Sequence, residues 1–420
     1  MPNSGLSGIL TTLLERRPFY RTTLDPGALQ DLCRELLAED SETTGLQLAA
    51  AVLDQFANLP QEGRAAFFQY LNTELDIDAQ LVEKLAQQYA HDPSIDNFKQ
   101  LSVAAEPRRQ DLFRRLNQAP GATAELVRLR ADLLNHLRDD PDLGRTDLDL
   151  VHLLRSWFNR GFLVLRPITW DTSASVLERI IAYEAVHEIS KWDDLRRRLQ
   201  PADRKCFAFF HPSMPDDPLI FVEVALTRGV PGSIQDVLSE DRAESTAEEA
   251  DTAVFYSISN CQAGLAGISF GNSLIKQVVR DLSHELPGLK KFVTLSPIPG
   301  LSRWLDTKGQ LPEDNTQKAL KQLAAHYLLD AKKPDGKPID PVARFHLGNG
   351  AQVHQVHAQA DLSDKGLGQS HGVMVNYLYD SSRITQNVEQ FAKNDEVAAA
   401  SAVKTLAKQG AKTRLADAAG

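Results

Sequence analysis

The sequence predicts an α+β protein, in which an N-terminal all-α helical bundle over residues 1–160 precedes a mixed α/β domain over residues 161–420. Up to about residue 160, apolar residues recur at intervals of three and four, which is the spacing of amphipathic helices. Near Gly161 the pattern changes to β-rich runs separated by turn residues. Strands and helices then follow one another to the end of the chain, which indicates a sheet covered by helices.

The first half contains seven or eight predicted helices, of which GLQLAAAVLDQFANL and AQLVEKLAQQYAHD are typical. Boundaries between the helices are predicted at Asp25-Pro26, Gly121 and Asp140-Pro141, because glycine and proline are unfavourable inside a helix. The Leu and Phe positions on the apolar faces are expected to form a core, and nothing in them indicates a cofactor. We therefore expect this domain to be structural and to help assemble an oligomer.

The second half begins with the predicted strands FLVLRPIT, KCFAFFHP and LIFVEVALT, and the turn SMPDDP between the last two predicts an antiparallel hairpin. AVFYSIS and KFVTLS flank a helix from Gly271 to about Leu286, so the connection from Phe255 to Phe292 should be a right-handed crossover between parallel strands. A helical insertion is predicted near residues 303–335. PVARFHLGNGAQVHQVHAQAD and GVMVNYLYD are predicted strands, and one helix over residues 384–408 closes the chain.

Charge and cysteine content argue against several classes of protein. The net charge is −10 and no dense Lys/Arg cluster precedes the tail, so we expect no nucleic-acid partner. No apolar run approaches the roughly 18 residues that span a bilayer, so we expect no membrane association. The three cysteines lie far apart and show no Cys/His metal spacing, so we expect no metal. Their odd number indicates a reducing compartment, which we expect to be the cytoplasm.

Ser296 stands at the end of the predicted strand KFVTLS and is followed by Pro-x-Pro-Gly. Ligands of such sheets bind beyond the carboxyl ends of parallel strands, so the hydroxyl is delivered to the expected ligand side. Pro297 and Pro299 stiffen the chain behind it. A serine at a strand end is also a common turn residue, so position alone does not assign a function to Ser296.

A glycine-rich segment, NCQAGLAGISFGNSLIKQVV, joins the preceding strand to its helix through Gly264, Gly267 and Gly271. Glycine lets the backbone approach a ligand, and N–H groups at a helix N-terminus attract phosphate. The segment is neither a Walker loop nor Gly-x-Gly-x-x-Gly, and a simple turn is an equally good interpretation of it alone. The strand order around it resembles the acetyltransferase (GNAT) superfamily, whose loop of this kind holds the pyrophosphate of coenzyme A. Ala266–Gly271 departs from the usual Gln/Arg-x-x-Gly-x-Gly/Ala signature of that loop at two positions.

Four stretches, AVFYSIS…GLAG…FGNSLIKQVV, LSPIPG, FHLGNGA and MVNYLYD, together resemble the malonyl-CoA decarboxylase family. The resemblance is dense from Cys206 to Asp380 and is architectural before Gly161. It implies that Ser296 and His346 are the catalytic pair, that malonyl-CoA and acetyl-CoA are the ligands, that the coenzyme A thioester is the substrate with no further cofactor, and that the protein is a homo-oligomer, a tetramer. The family's malonyl-CoA-binding segment matches Ala266, Gly267, Ile268, Ser269, Phe270, Gly271 and Asn272.

Decarboxylation of malonyl-CoA breaks the bond between C2 and the carboxylate and leaves an enolate, which hydrogen-bond donors must stabilise and an acid must protonate at C2. Ser296 is expected to hydrogen-bond the malonyl carboxylate or to relay a proton with His346. His346, placed on a predicted strand, has an ordinary pKa of about 6.5 that suits proton delivery near neutral pH. Tyr379 is a candidate further donor to the substrate. The sequence leaves open which of Ser296 and His346 delivers the proton.

Three alternative functions remain at this point. A CoA-dependent acyltransferase of the GNAT type keeps the fold, but it explains neither SPIPG nor the helical half. A serine hydrolase needs a nucleophile elbow and an acid that orients the histidine, and neither is evident here. A non-catalytic CoA-binding or scaffold protein built on the helical half is the third.

Overall fold

The computed structural model describes residues 26–242, 245–268, 271–309 and 316–413. The chain divides into two compact units. The first comprises the residues up to Phe162 together with Pro212–Met214 and Gln262–Ile268, and the second comprises Leu163–His211, Pro215–Cys261 and the residues from Ser269 onwards. Helices make up the described chain from residue 26 to residue 157 and a mixed sheet follows from residue 164, so the predicted α+β fold class is confirmed.

Eight α-helices lie between residues 26 and 157, in agreement with the prediction. They are α1 Pro26–Ala38, α2 Glu42–Asn58, α3 Gln61–Thr73, α4 Ala79–His91, α5 Ile95–Ala104, α6 Arg108–Leu116, α7 Ala122–His136 and α8 Gly144–Trp157. The apolar faces pack as expected: the ring centroid of Phe56 lies 5.3 Å from that of Phe67 and 5.7 Å from that of Phe68, and all three rings are buried. Two of the eight, α4 and α5, have no buried residue.

The sheet lies in the second unit. Its strands are β1 Val164–Ile168, β2 Arg204–Phe210, β3 Ile220–Thr227, β4 Thr252–Asn260, β5 Lys291–Thr294, β6 Ser296–Pro297, β7 Gln352–His357 and β8 Met374–Leu378. The strands are ordered β1-β2-β3-β4-β5-β8. The short strand β6 follows β5 in the chain and, like β5, pairs with β8. Strand β7 pairs with the other side of β8. The β2–β3 hairpin is antiparallel and the β4–β5 pair is parallel, as predicted.

Two irregularities in the sheet determine where Ser296 lies. Glu223 pairs with Ser257 but the next residue of β3 pairs with Phe255, so Tyr256 is an extra residue in β4. Such bulges bend a strand and are common beside functional sites. The parallel pairing ends where Phe255 faces Thr294, and two residues later Ser296 pairs with Val375 of β8 instead. Ser296 therefore stands just beyond the last parallel pair.

The helices of the second unit cover the sheet. They are α9 Ala174–Tyr183, α10 Trp192–Leu199, α11 Ile234–Leu238, α12 Gly271–Glu285, α13 Leu301–Asp306, α14 Thr316–Asp330, α15 Pro341–Gly348, α16 Asp364–Ser370, α17 Ile384–Asn394 and α18 Ser401–Gly410. Helix α12, predicted from the sequence, buries five apolar side chains, those of Leu274, Ile275, Val278, Val279 and Leu282. No helix in the described part of the chain is long and apolar enough to cross a membrane.

Two predictions about the last hundred residues are wrong. Pro341–Gly348 is a helix, because the carboxylate of Asp340 caps it by accepting a hydrogen bond from the Ala343 N–H at 2.8 Å, and Pro341 fits the first turn. The single closing helix is two, because Asp395 adopts a left-handed conformation with φ of 51° and ends α17. Residues 398–400 then run beside Val353 of β7 before α18 begins.

Candidate active site

Ser296 and His346 lie next to each other, although fifty residues separate them in the sequence. Ser296 comes from β6 and His346 from the last turns of α15. The serine Oγ lies 3.2 Å from the imidazole Nε2, and both side chains are buried. The two residues that the sequence analysis paired are therefore in hydrogen-bond contact.

Two tyrosines hold the imidazole in place: Tyr377 lies in β8, and Tyr379 directly follows that strand. The Tyr379 hydroxyl lies 2.8 Å from Nδ1 of His346. The Tyr377 ring stacks on the imidazole with centroids 4.5 Å apart and an interplanar angle of 24°. Both ring nitrogens of His346 are thus bonded to hydroxyl groups, where a serine hydrolase would have a carboxylate on one of them. Tyr379, the candidate further donor to the substrate, contacts the imidazole in this structure.

Thr294 extends these contacts on the far side of the serine. The Ser296 hydroxyl donates to Thr294 Oγ1 at 2.8 Å, and the Tyr377 backbone N–H donates to the same oxygen at 3.1 Å. Because the serine proton is directed at Thr294, the Ser296 oxygen accepts from the Nε2–H of His346, and Nδ1 then accepts from the hydroxyl of Tyr379. The hydrogen bonds form one continuous series, Tyr379–His346–Ser296–Thr294.

Burial controls the charge state of this series. It lowers the pKa of His346 to about 3, so the imidazole is neutral at physiological pH. It also raises the pKa of Tyr379 well above its usual value, so the phenol keeps its proton. The expectation that His346 acts with a pKa near its ordinary value is therefore wrong. Every member of the series is therefore uncharged at physiological pH.

The sequence analysis missed three residues of this region: Thr294, Tyr377 and Asp340. Thr294 and Tyr377 are apolar-compatible strand residues, and nothing in their sequence setting distinguishes them. Asp340 is fully buried at the start of the histidine-bearing helix, and burial raises its pKa to about 6. Its sequence signal was the Asp-Pro pair, a helix-start pattern that would have placed His346 on a helix.

The short 3-10 turn Ala263–Leu265 directly precedes the predicted coenzyme A segment, Ala266–Asn272. Ala266 and Gly267 are exposed, Ile268 is buried, and Gly267 has a φ of 77°, which favours glycine. Ser269 and Phe270 lie outside the described residues. Gly271 begins helix α12, and Asn272 follows in its first turn.

Two further histidines and two cysteines lie in structural positions. His354 and His357 are half-buried residues of β7, and His357 Nε2 bonds to the Asn376 side-chain oxygen at 2.5 Å. Cys206 and Cys261 are buried and unpaired, in keeping with small apolar side chains. Within the described ranges, no group of three or more His, Cys, Asp or Glu side chains is arranged to hold a metal ion.

A buried series of uncharged hydroxyl and imidazole groups, at the point where the only parallel strand pair of the described sheet ends, is an arrangement typical of an enzyme of acid–base chemistry. Comparison with known proteins identifies which one. Residues 161–317 and 309–417 match the malonyl-CoA decarboxylase C-terminal domain, and residues 75–158 match the malonyl-CoA decarboxylase N-terminal domain. The chain belongs to the malonyl-CoA decarboxylase family. It is a carboxy-lyase that converts malonyl-CoA to acetyl-CoA and CO₂.

Individual relatives agree with this assignment. Mitochondrial malonyl-CoA decarboxylase of Anser anser anser is 35% identical over 353 residues, which are 72% of this chain and 70% of the relative. The crystal structure of malonyl-CoA decarboxylase from Rhodopseudomonas palustris is 45% identical, with a TM-score of 0.85 over 91% of this chain and 99% of the other. That from Agrobacterium vitis is 48% identical, with a TM-score of 0.86 over 90% and 99%.

Proposed function

We propose that Ser296 and His346 protonate the enolate that remains when malonyl-CoA loses CO₂, and that Tyr379 and Thr294 hold them in line. The observation that supports this is the continuous series of hydrogen bonds from Tyr379 to Thr294. The enolate of a thioester is a stronger base than an alkoxide or an imidazolate. A neutral donor therefore suffices, and no imidazolium is needed.

The proposed transfer moves one proton along each of the two bonds from Tyr379 to Ser296, and one from Ser296 to the substrate. The Ser296 hydroxyl turns from Thr294 toward the substrate and gives its proton to C2, while Nε2–H of His346 restores the proton on the serine oxygen. The Tyr379 hydroxyl protonates Nδ1 as Nε2 loses its proton, and solvent returns a proton to Tyr379. The imidazole then carries its proton on Nδ1, and proton exchange with solvent must return it to Nε2 before the next turnover. Burial keeps the pKa of Tyr379 high, so a lasting tyrosinate is unfavourable. Reprotonation of Tyr379 by solvent must therefore be as fast as proton transfer to the substrate.

We propose that the segment Ala266–Asn272 binds the coenzyme A diphosphate through backbone N–H groups, and that the reaction uses no metal or other cofactor. Glycine at Gly267 and the start of helix α12 at Gly271 support the first part, since both offer N–H groups to an anion. The absence of a metal from the proposed reaction is supported by chemistry, because hydrogen-bond donors alone can polarise the thioester carbonyl and stabilise the enolate.

Malonyl-CoA turnover in D₂O tests this mechanism. We expect CO₂ release without an acyl acceptor, unchanged after EDTA treatment, and one deuterium at C2 of the acetyl-CoA. A serine-reactive phosphonate is expected to leave Ser296 unlabelled, because its oxygen accepts from Nε2–H and is not deprotonated by it. Phosphonate labelling of Ser296 would show a nucleophile instead, and loss of activity in EDTA would show a metal.

We also propose that the protein is a homotetramer and that helices α4 and α5 take part in its assembly. These helices pack on each other, with the Tyr89 and Phe98 ring centroids 5.9 Å apart, yet neither contains a buried residue. Ile95, Phe98 and Val103 are 65%, 50% and 76% exposed, an apolar patch larger than isolated surface residues produce. A second copy of the chain is the occupant we propose.

Replacing Phe98 and Val103 together with glutamate is expected to lower the mass in solution, because two charges per chain oppose burial of the patch. Light scattering should give about four times the 46.5 kDa chain mass for the wild type and a smaller assembly for the variant. Leu148→Glu, at a position 69% exposed on α8, is the matched control and should keep the wild-type mass. An unchanged mass for the double variant would exclude this patch as an interface.

A further inference from the structure

The segment Gln262–Ile268 follows the sheet strand β4 in sequence, yet it belongs to the helical unit. Gly264 packs directly on the backbone of α7. A Cβ atom at Gly264 would lie 1.8 Å from the carbonyl oxygen of Val127, so only glycine fits there. Gly264 lies two residues before the proposed coenzyme A segment, so the helical unit holds the chain just ahead of that segment.

Arg130 of α7 provides the polar part of this contact. Its Nη1 donates to the carbonyl oxygen of Gly264 at 2.6 Å and to that of Ala266 at 2.9 Å. Its Nε and Nη2 donate to the carboxylate of Asp147 on α8, at 2.7 and 3.4 Å. The side chain of Arg130 is only 3% exposed. A charge so buried is costly unless its partners are fixed, so Arg130 and these two carbonyl groups restrain each other.

The direction of the Ala266 carbonyl fixes the direction of the next N–H. In a trans peptide the C=O of one residue and the N–H of the next point in opposite directions. Because the Ala266 oxygen points to Arg130, the Gly267 N–H points away from it, and Gly267 is exposed. No described residue accepts a hydrogen bond from this N–H. The arrangement presents one free donor on the outer side of the segment.

We propose that Arg130 is a positioning residue, which orients the Ala266–Gly267 peptide so that its N–H is ready to bind the diphosphate of an acyl-coenzyme A. This rests on the proposed assignment of the Ala266–Asn272 segment to coenzyme A. An ordered segment loses less conformational entropy on binding, so fixing it from the helical unit raises affinity before the ligand arrives. The helical half then contributes to substrate affinity as well as to structure.

Coenzyme A affinity and steady-state kinetics of Arg130 variants test the proposal. Single removal of Arg130 leaves Asp147 without its partner and risks unfolding, so the main variant is the double replacement Arg130→Met with Asp147→Leu, which removes both charges. We expect the Kd for coenzyme A and the KM for malonyl-CoA to rise about 10- to 100-fold, since charge-assisted hydrogen bonds to the segment are lost, while kcat changes less than about threefold. Arg130→Lys should give an intermediate rise.

Arg128→Met is the matched control, since Arg128 lies two residues away on the same helix, is exposed, and pairs only with Glu125 among the described residues. Its Kd and KM should equal those of the wild type. Hydrogen exchange of the 262–268 backbone, without ligand, should be faster in the double variant than in the wild type or the control. A merely structural role would lower the melting temperature and kcat without a selective rise in Kd.

The proposal and the assignment on which it rests fail differently. If coenzyme A does not slow hydrogen exchange of residues 262–272 in the wild-type enzyme, that segment is not the binding site and the assignment falls. If coenzyme A protects the segment but the double variant and Arg130→Lys both bind it with wild-type affinity, the assignment stands and the role of Arg130 is refuted. If the double variant does not fold, Arg130→Lys decides in the same way.

Discussion

Replacing His346 with asparagine is expected to lower kcat for malonyl-CoA by about 10³-fold, within the range that general acid–base groups contribute. Asparagine retains a donor but cannot accept a proton at one atom while releasing one from another, so it interrupts the transfer from Tyr379 to Ser296. Coenzyme A affinity should change little, because His346 contacts two hydroxyl groups and the ring of Tyr377. Steady-state kinetics and calorimetric binding of coenzyme A measure the two effects separately.

Tyr377→Phe is the control for this substitution. It keeps the ring that stacks on the imidazole and removes a hydroxyl that has no hydrogen-bond partner among the described residues, so kcat should stay within about threefold of the wild-type value. A loss as large as that of His346→Asn would mean that the Tyr377 hydroxyl, which lies outside the proposed series, takes part in the reaction, and the proposed path of the proton would be wrong.

The pH dependence follows from the same residue. Its folded pKa of about 3 lies below the unfolded value of about 6.5, so the unfolded chain binds more protons between these limits. The stability contribution of neutral His346 is complete above pH 6.5 and is lost progressively as the pH drops toward 3. His346→Asn should lose this acid sensitivity in denaturant titrations. In the wild type, a kcat profile with a His346 ionisation near pH 6.5 would contradict a neutral imidazole.

Two strand pairings of the sheet could be predicted from the sequence, because the segment that connects each pair of strands indicates how they pair. The β2–β3 hairpin carries a Pro/Asp turn, and the β4–β5 crossover carries a long amphipathic helix, so both pairings were predictable. The segment PVARFHLG was misassigned because its few apolar residues suit a strand as well as a helix. Capping by Asp340 and the following proline decided in favour of the helix.

The site was predictable only in part, for a physical reason. Ser296 and His346 stand in distinctive stretches, but their partners are recognisable only by contact. Thr294 is a strand residue whose hydroxyl matters because Ser296, two positions on, lies on the same side of the strand. Arg130 lies more than 130 residues from the carbonyl groups that it binds, and no local pattern marks such a contact.

The boundary between the two halves shows the same limit. Sequence texture changes near Gly161, and the division by contact also passes close to Phe162. The later segment Gln262–Ile268 nevertheless joins the helical unit, because Gly264 and Arg130 attach it to α7. A boundary predicted from composition divides the chain at one position. The folded units need not follow it, because a later segment such as Gln262–Ile268 can pack with the first unit.

Replacing Ser296 with alanine is expected to lower kcat by about 10²- to 10³-fold, less than the loss of a nucleophile would cause. The serine is the last donor before the substrate in the proposed transfer, and a water molecule in the space of its hydroxyl restores part of that role. Coenzyme A binding should be unchanged, as measured by calorimetry. Complete loss of turnover, with phosphonate labelling of the wild-type serine, would favour covalent catalysis.

The double variant Ser296→Ala with His346→Asn tests whether the two residues act in one series. Groups that pass the same proton in sequence are not additive, because breaking either link already stops the transfer. The double variant should therefore be about as active as the slower single variant. If its loss equals the product of the two single losses, Ser296 and His346 contribute independently, and the hydrogen bond of 3.2 Å between them is not the path of the proton.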